Sequence, residues 1–176
     1  MKPSNGAAPE EPLLSTGKPV WANDWSRDGR FLLYSEVTPT TIMDLSVLAM
    51  DQPKENRKPI PYLRGPFMKK QGQFSEDGRF VAYTSDESGR FEIYVQPFPN
   101  AAGGKWPISS GGGVEPRWSK NGSDLFYFSG RKLMAVDVKT APTFSAGAPR
   151  ELSKPPCNRV TQTTVIDGMW RRMARF

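Results

Sequence analysis

Apolar residues in this chain recur as short runs set directly behind a polar turn. Three runs align: Phe31-Leu32-Leu33-Tyr34-Ser35, Phe80-Val81-Ala82-Tyr83-Thr84 and Asp124-Leu125-Phe126-Tyr127-Phe128. Each follows an aromatic residue and a Ser-x-Asp/Asn-Gly turn: Trp25-Ser26-Arg27-Asp28-Gly29, Phe74-Ser75-Glu76-Asp77-Gly78 and Trp118-Ser119-Lys120-Asn121-Gly122. Short β-branched and aromatic runs bounded by turn residues predict buried strands rather than helices. The Asp-Gly or Asn-Gly pair is expected to supply the positive-φ residues of a tight hairpin. The serine before it is placed to bond back to the turn backbone.

The pattern continues beyond each run. Further strands are expected at Asp44–Leu48, Glu92–Gln96 and Leu133–Val138, and closing strands at Pro59–Leu63, Trp106–Ser109 and Arg150–Leu152. A weaker fourth copy is Val165-Ile166-Asp167-Gly168, so the motif glycines fall at 29, 78, 122 and 168, with periods of 49, 44 and 46. Four strands in a unit of about 46 residues is the pattern of a propeller blade. The fold class expected is therefore all-β, a partial β-propeller of about three four-stranded blades plus half-blade ends. Residues 1–12 form a flexible leading segment in this reading. Blades occupy 13–153 (about 21–65, 66–110 and 111–153), and 154–176 is an incomplete fourth repeat with a basic tail. Leu13–Thr16 and Thr163–Ile166 are the candidate strands of the half-blades.

Composition narrows the chemistry. The 176 residues include 16 Gly and 17 Pro, a load that suits many short elements joined by turns. Histidine is absent, which removes Ser-His-Asp and Cys-His nucleophile systems and His-ligated zinc. A single cysteine, Cys157, excludes an intrachain disulfide. The net charge is +6, but most of the excess lies from Arg150 onward, so a nucleic-acid partner is not expected of the propeller body. No apolar run is long enough to span a bilayer, and the first twenty residues lack the apolar core of a signal peptide. The expectation is a cytoplasmic protein with no membrane partner.

With the repeats aligned, the chain resembles the TolB-like, WD-type family of β-propeller repeats. Glu115-Pro116-Arg117-Trp118-Ser119-Lys120-Asn121-Gly122 is the nearest copy of that family's Pro-x-Trp-Ser-Pro-Asp-Gly motif. Phe74–Pro99 and Gly104–Val138 are similar to the C-terminal propeller of some bacterial serine/threonine kinases. No kinase domain accompanies them: the Gly-rich loop, the catalytic His-Arg-Asp and the Asp-Phe-Gly are all missing. The motif proline is replaced by Arg27, Glu76 and Lys120. The resemblance implies a non-catalytic propeller that binds a small molecule or a protein. An alternative, carried by analogy to propeller lactonases, is an ester or lactone hydrolase using Ca²⁺ to polarise a carbonyl.

Ligand-binding positions are expected on the connections between one blade's outer strand and the next blade's inner strand. Asp24, Gln73, Glu115 and Arg117 are the candidate ligand-binding residues at the channel mouth. Asn23, Asp24 and Glu115 are the oxygen donors that a Ca²⁺ ion would need under the alternative. Asn23, Lys69, Lys70 and Gln71 share those connections, and Glu36, Asp86, Glu87 and Arg90 form a second set. Gly111-Gly112-Gly113 reads as a turn before it reads as an anion cradle, and Lys69-Lys70 as a solvated basic pair. Three blades leave open strand edges, which favour association. A homo-oligomer that completes the ring is therefore expected.

Overall fold

The computed structural model describes residues 12–39 and 42–153. Their apolar runs pair into three antiparallel sheets in which sequence neighbours lie side by side. Blade one is β1 (Val20–Trp25), β2 (Phe31–Glu36), β3 (Asp44–Ala49) and β4 (Pro59–Leu63). Blade two is β5 (Lys69–Phe74), β6 (Phe80–Ser85), β7 (Glu92–Pro97) and β8 (Trp106–Pro107). Blade three is β9 (Val114–Trp118), β10 (Asp124–Ser129) and β11 (Lys132–Lys139), with an outer edge divided between β12 (Ser145–Ala146) and β13 (Arg150–Ser153). The architecture is all-β, a partial propeller of three blades.

The turn joining the two inner strands is built the same way in every blade. Ser26 Oγ donates to Asp28 Oδ1 (2.7 Å) and accepts from Phe31 N (2.8 Å). Ser75 repeats this with Asp77 (2.7 Å) and Phe80 N (3.0 Å), and Ser119 with Asn121 (2.7 Å) and Asp124 N (2.9 Å). Only the glycine takes a positive φ: +73° at Gly29, +69° at Gly78 and +73° at Gly122. The expectation that the Asp or Asn shares the positive φ is therefore corrected. That residue contributes a side-chain acceptor, to Ser Oγ and to the N–H two residues on (3.1 Å from Arg30, Arg79 and Ser123).

Other boundaries differ from the sequence pattern for identifiable reasons. Leu13–Thr16 forms no strand, since no partner strand among the described residues completes its ladder. β8 stops at Pro107: Ile108 N still donates to Ile93 O (2.8 Å), but Ile93 N donates to Ser109 Oγ (2.8 Å) in place of a backbone carbonyl. The expected half-strand Thr163–Ile166, the weak fourth repeat, Cys157 and Arg171-Arg172 lie outside the described residues.

The core sits between blades rather than inside them. Strand alternation sends one face of each sheet to the preceding blade and the other to the next. Leu33, Leu45, Val47 and Leu63 of blade one meet Phe74, Val81, Tyr83 and Tyr94 of blade two. Phe80, Ala82, Ile93, Val95 and Ile108 on the other face of blade two meet Leu125, Tyr127, Val136, Val138 and Phe144 of blade three. Burying one such large aliphatic or aromatic side chain contributes about 1.5–3 kcal/mol. The gap between blades one and two is plugged by Phe98, whose ring lies edge-on to Phe31, Tyr62 and Phe74 at centroid distances of 5.0, 5.3 and 5.0 Å.

Close approach of the inner strands needs glycine at one point. A Cβ on Gly72 would stand 2.6 Å from Leu33 Cδ2. With only hydrogen there, β5 packs directly on the side chains of blade one.

Candidate functional site

The inner strands β1, β5 and β9 each carry a bulge against their β2-type neighbour, at Ala22/Asp24, Lys70/Gln73 and between Val114 and Arg117. A bulge turns a side chain out of the ladder and re-aims it. Here it aims polar groups at the adjacent blade. Asn23 Oδ1 accepts from Ser35 Oγ (2.7 Å) in its own blade and from Gly72 N (3.3 Å) in the next. Gln71 Oε1 does the same, from Thr84 Oγ1 (2.9 Å) and from Glu115 N (3.1 Å). Gln71 and Glu115 adopt φ of +58° and +57°, a strained setting for residues with a Cβ. The bulges of β1 and β5 are thus amide clamps between consecutive blades.

Asp24, Gln73 and Arg117 hold the equivalent position on the three inner strands, one residue before Trp25, Phe74 and Trp118. Asp24 Oδ2 accepts from Phe74 N (2.9 Å) and Oδ1 from Trp25 N (2.9 Å). Gln73 Nε2 donates to the carbonyls of Asn23 and Gly72, both at 3.0 Å. Arg117 Nη1 donates to Pro116 O (2.9 Å). Asp24 and Arg117 are half-buried and feel each other's charge across the two blade gaps. Burial raises the Asp24 carboxyl above its ordinary range, against the two amide bonds and the Arg117 charge. Burial likewise lowers the Arg117 guanidinium, with Glu115 and Asp24 pulling it back.

Sequence reasoning placed Asn23, Asp24, Gln73, Glu115 and Arg117 on the connections between blades. The structure corrects this: all five lie within β1, β5 or β9, and the connections are residues 64–68 and 108–113. The bulge is the reason, since an inserted residue lengthens the inner strand past the end of its apolar run.

The set does not suit a calcium ion. Both oxygens of Asp24 and the side-chain oxygen of Asn23 already accept N–H or O–H bonds. A guanidinium stands beside Asp24 and Glu115 where a divalent cation would be repelled. Among the described residues no group of three or more Cys, Asp and Glu side chains could hold a metal ion.

Other sequence candidates are engaged internally. Gly112 N does meet an anion, the buried carboxylate of Glu92 (2.9 Å), which also takes the Ser109 hydroxyl and pairs with Arg90 Nε at 3.2 Å. Asp86 Oδ1 caps Met68 N at 2.8 Å and Glu87 pairs with Lys105 at 2.6 Å, so these adjacent carboxylates serve different partners. Lys69 and Lys70 are not a solvated pair. Lys70 Nζ stands 3.9 Å from the Phe91 ring centroid, and Lys69 is only 6% exposed. The period-two alternation of β5 was the signal that would have separated them.

The blade construction and the order of the sheets recur in solved structures. A protein assigned as TolB from Agrobacterium tumefaciens superposes with a TM-score of 0.61 at 16% identity, over 77% of this chain and 49% of its own. TolB from Acinetobacter baumannii gives 0.59 at 18% identity, over 85% and 36%. The fold is that of a TolB-like β-propeller. A protein assigned as a 6-phosphogluconolactonase from Bacteroides uniformis shares the propeller fold at a TM-score of 0.51 and 12% identity, over 83% and 45%. This propeller chain spans less than half the length of each of the three. No protein-family model and no curated protein sequence matches it. Among the described residues no helix of the propeller is long and apolar enough to cross a membrane.

Proposed function

We propose that this chain is a non-catalytic binding module, which takes a polar small molecule or protein segment along the inner strands where Asp24, Gln73, Glu115 and Arg117 sit. The observation that carries the reading is the placement of Asp24, Gln73 and Arg117 at the equivalent position of the three inner strands. It brings side chains 93 positions apart in the sequence to one wall, and a half-desolvated charged wall recognises complementary polar groups more strongly than an exposed one. Histidine is absent, and the Asp24 and Asn23 oxygens are committed to N–H and O–H donors, which favours binding over proton transfer at this wall.

The likeness to a 6-phosphogluconolactonase keeps hydrolysis of a small ester or lactone as the second reading. Turnover of a lactone and an aryl ester, measured with Ca²⁺ and again with chelator, separates the two. The binding module gives background rates in both. Chelator-sensitive turnover that is lost in Asp24→Ala would overturn it. A fragment screen read by amide shifts then tests binding directly, with shifts expected at Asp24, Gln73 and Arg117 and lost in Arg117→Ala.

The wall is completed by further blades, and we propose that a second copy of the chain supplies them. Val20, Trp21 and Trp25 on β1 are 40%, 48% and 37% exposed, whereas Phe74, at Trp25's position in blade two, is 6% exposed. Glu115 occupies the position from which Gln71 clamps the next blade.

A further inference from the structure

Between blades one and two, at the end where β4 passes to β5, lies a cleft of about 420 Å³. It is separate from the inner-strand wall. Its floor and sides include Tyr62, Tyr83 and the stem of Lys69, and its rim carries Arg64, Lys105 and Glu87. Glu87 is paired with Lys105 at 2.6 Å, and the carboxylates of Asp44 and Asp86 stand near enough to act on Lys69.

The cations are not equivalent. Arg64 is committed inward: Nη2 donates to Glu36 Oε1 (2.7 Å) and Nη1 stands 3.5 Å from Asp44 Oδ2. Lys69 is the unusual one. It is 94% buried by its 6% exposure, yet the only acceptor its ammonium has among the described residues is the Phe67 carbonyl at 2.7 Å. An ammonium carries three N–H donors, so two remain for a ligand. Burial lowers its pKa from the ordinary value, and Asp44, Glu87 and Asp86 restore it only in part, through space. Removing a charge from water without a partner is costly, and a bound anion is the usual remedy. The tyrosine hydroxyls are already used, Tyr62 on Pro97 O (2.8 Å) and Tyr83 on Gln96 Oε1 (2.5 Å). Tyr83 is fully buried, so the ring surface open to the cleft is that of Tyr62 and the exposed Phe67.

We propose that this cleft binds a small organic anion, a carboxylate or phosphate monoester with an apolar or aromatic body. Lys69 receives the charged group, Lys105 exchanges Glu87 for it at the rim, and the body lies on Tyr62 and Phe67. Charge-assisted bonds in a desolvated site are the strong kind, and aromatic walls with few polar anchors are the usual make-up of small-molecule sites.

The test is a titration of the purified chain with phenyl phosphate, benzoate and inorganic phosphate, followed by calorimetry and amide shifts. Phenyl phosphate or benzoate is expected to saturate, more tightly than inorganic phosphate, with shifts at Lys69, Tyr83 and Lys105. Saturation by one of the two alone identifies the charged group as phosphate or carboxylate. Lys69→Met and Lys105→Ala, each checked for native circular dichroism, are expected to weaken binding by about tenfold or more, as loss of a charge-assisted bond implies. Lys105→Ala removes an exposed side chain, so its result stands even where Lys69→Met fails to fold. Lys139→Ala, a cation away from the cleft, is expected to leave affinity unchanged. Absence of saturation by either organic anion overturns the proposal. So do variants that bind as the parent does, or inorganic phosphate binding as tightly as phenyl phosphate.

Discussion

Trp118 donates its indole N–H to the carbonyl of Gln73 in the preceding blade, at 3.1 Å. Trp25 stands at the same repeat position in blade one, yet its indole turns back to Gly29 O in its own hairpin, at 3.0 Å. One side chain type at one motif position thus makes an inter-blade bond where a preceding blade exists and a local bond where none is described. Trp118→Phe is expected to destabilise the chain by about 1 kcal/mol through loss of that bond, with the carbonyl left short of a partner. Trp25→Phe should shift the urea midpoint by much less. Equal shifts would show that the inter-blade bond adds nothing.

The exposed Trp25 also bears on assembly. If another copy packs on blade one as blade one packs on blade two, Trp25→Glu should abolish self-association while leaving the urea midpoint of the single chain nearly unchanged. Sedimentation equilibrium at micromolar concentration checks this. A monodisperse monomer for the unaltered chain would remove the second copy from the account.

Gly72 has a specific steric role. A methyl group there would lie 2.6 Å from Leu33 Cδ2 and 3.2 Å from Leu45 Cδ1, which the packed gap cannot absorb without shifting β5. Gly72→Ala is expected to destabilise by about 1–3 kcal/mol, the range for overpacking. Gly111→Ala, whose added Cβ meets nothing within 4 Å, is the matched control in the same denaturation series.

The hairpin acceptors predict an acid limb in stability. Asp77 is held below its ordinary value of 3.8: burial raises it, but bonds from Ser75, the Arg79 backbone, Thr140 and the Arg79 side chain outweigh that. A carboxylate whose folded pKa is depressed stabilises fully above its unfolded pKa and less as pH falls through the folded one. Stability should therefore fall below about pH 3.8 as Asp77 protonates, the unfolded pKa being the ordinary one. Asp28, also held low by Ser26 and the Arg30 backbone, adds to the same limb. Blade three uses the non-titrating Asn121 for the same bonds. Asp77→Asn should flatten the acid limb of the urea midpoint against pH, and Asn121→Asp should steepen it. An unchanged limb in both would place the acid sensitivity elsewhere.

Local chemistry made the repeat legible. The serine, the Asp or Asn and the glycine close each hairpin through bonds within five positions, so their pattern carries it. The strands behind them follow from apolar runs that any packed partner would bury. The all-β class and the partial-propeller fold could therefore be read from the chain alone. The short β12 could not, since Ser145-Ala146 has no apolar pattern and pairs with Val138 and Lys139, the part of the β11 outer edge that β13 leaves uncovered.

The site residues divide along the same line. Residue type alone marked Asp24, Gln73, Glu115 and Arg117 as candidates, but their setting depends on bulges and inter-blade distances that no local pattern encodes. Lys69 is the clearest case. In sequence it is half of a Lys-Lys pair, chemically the twin of Lys70. Its burial comes with the β4–β5 connection, where Nζ meets Phe67 O, and with blade one, whose Met43 carbonyl takes its N–H, contacts set only when two blades pack. Sequence by itself determined the repeat, because each hairpin closes on its own bonds. Only the tertiary structure decided which charged side chains lie in water and which lie between blades, because burial belongs to the gap and not to either sheet.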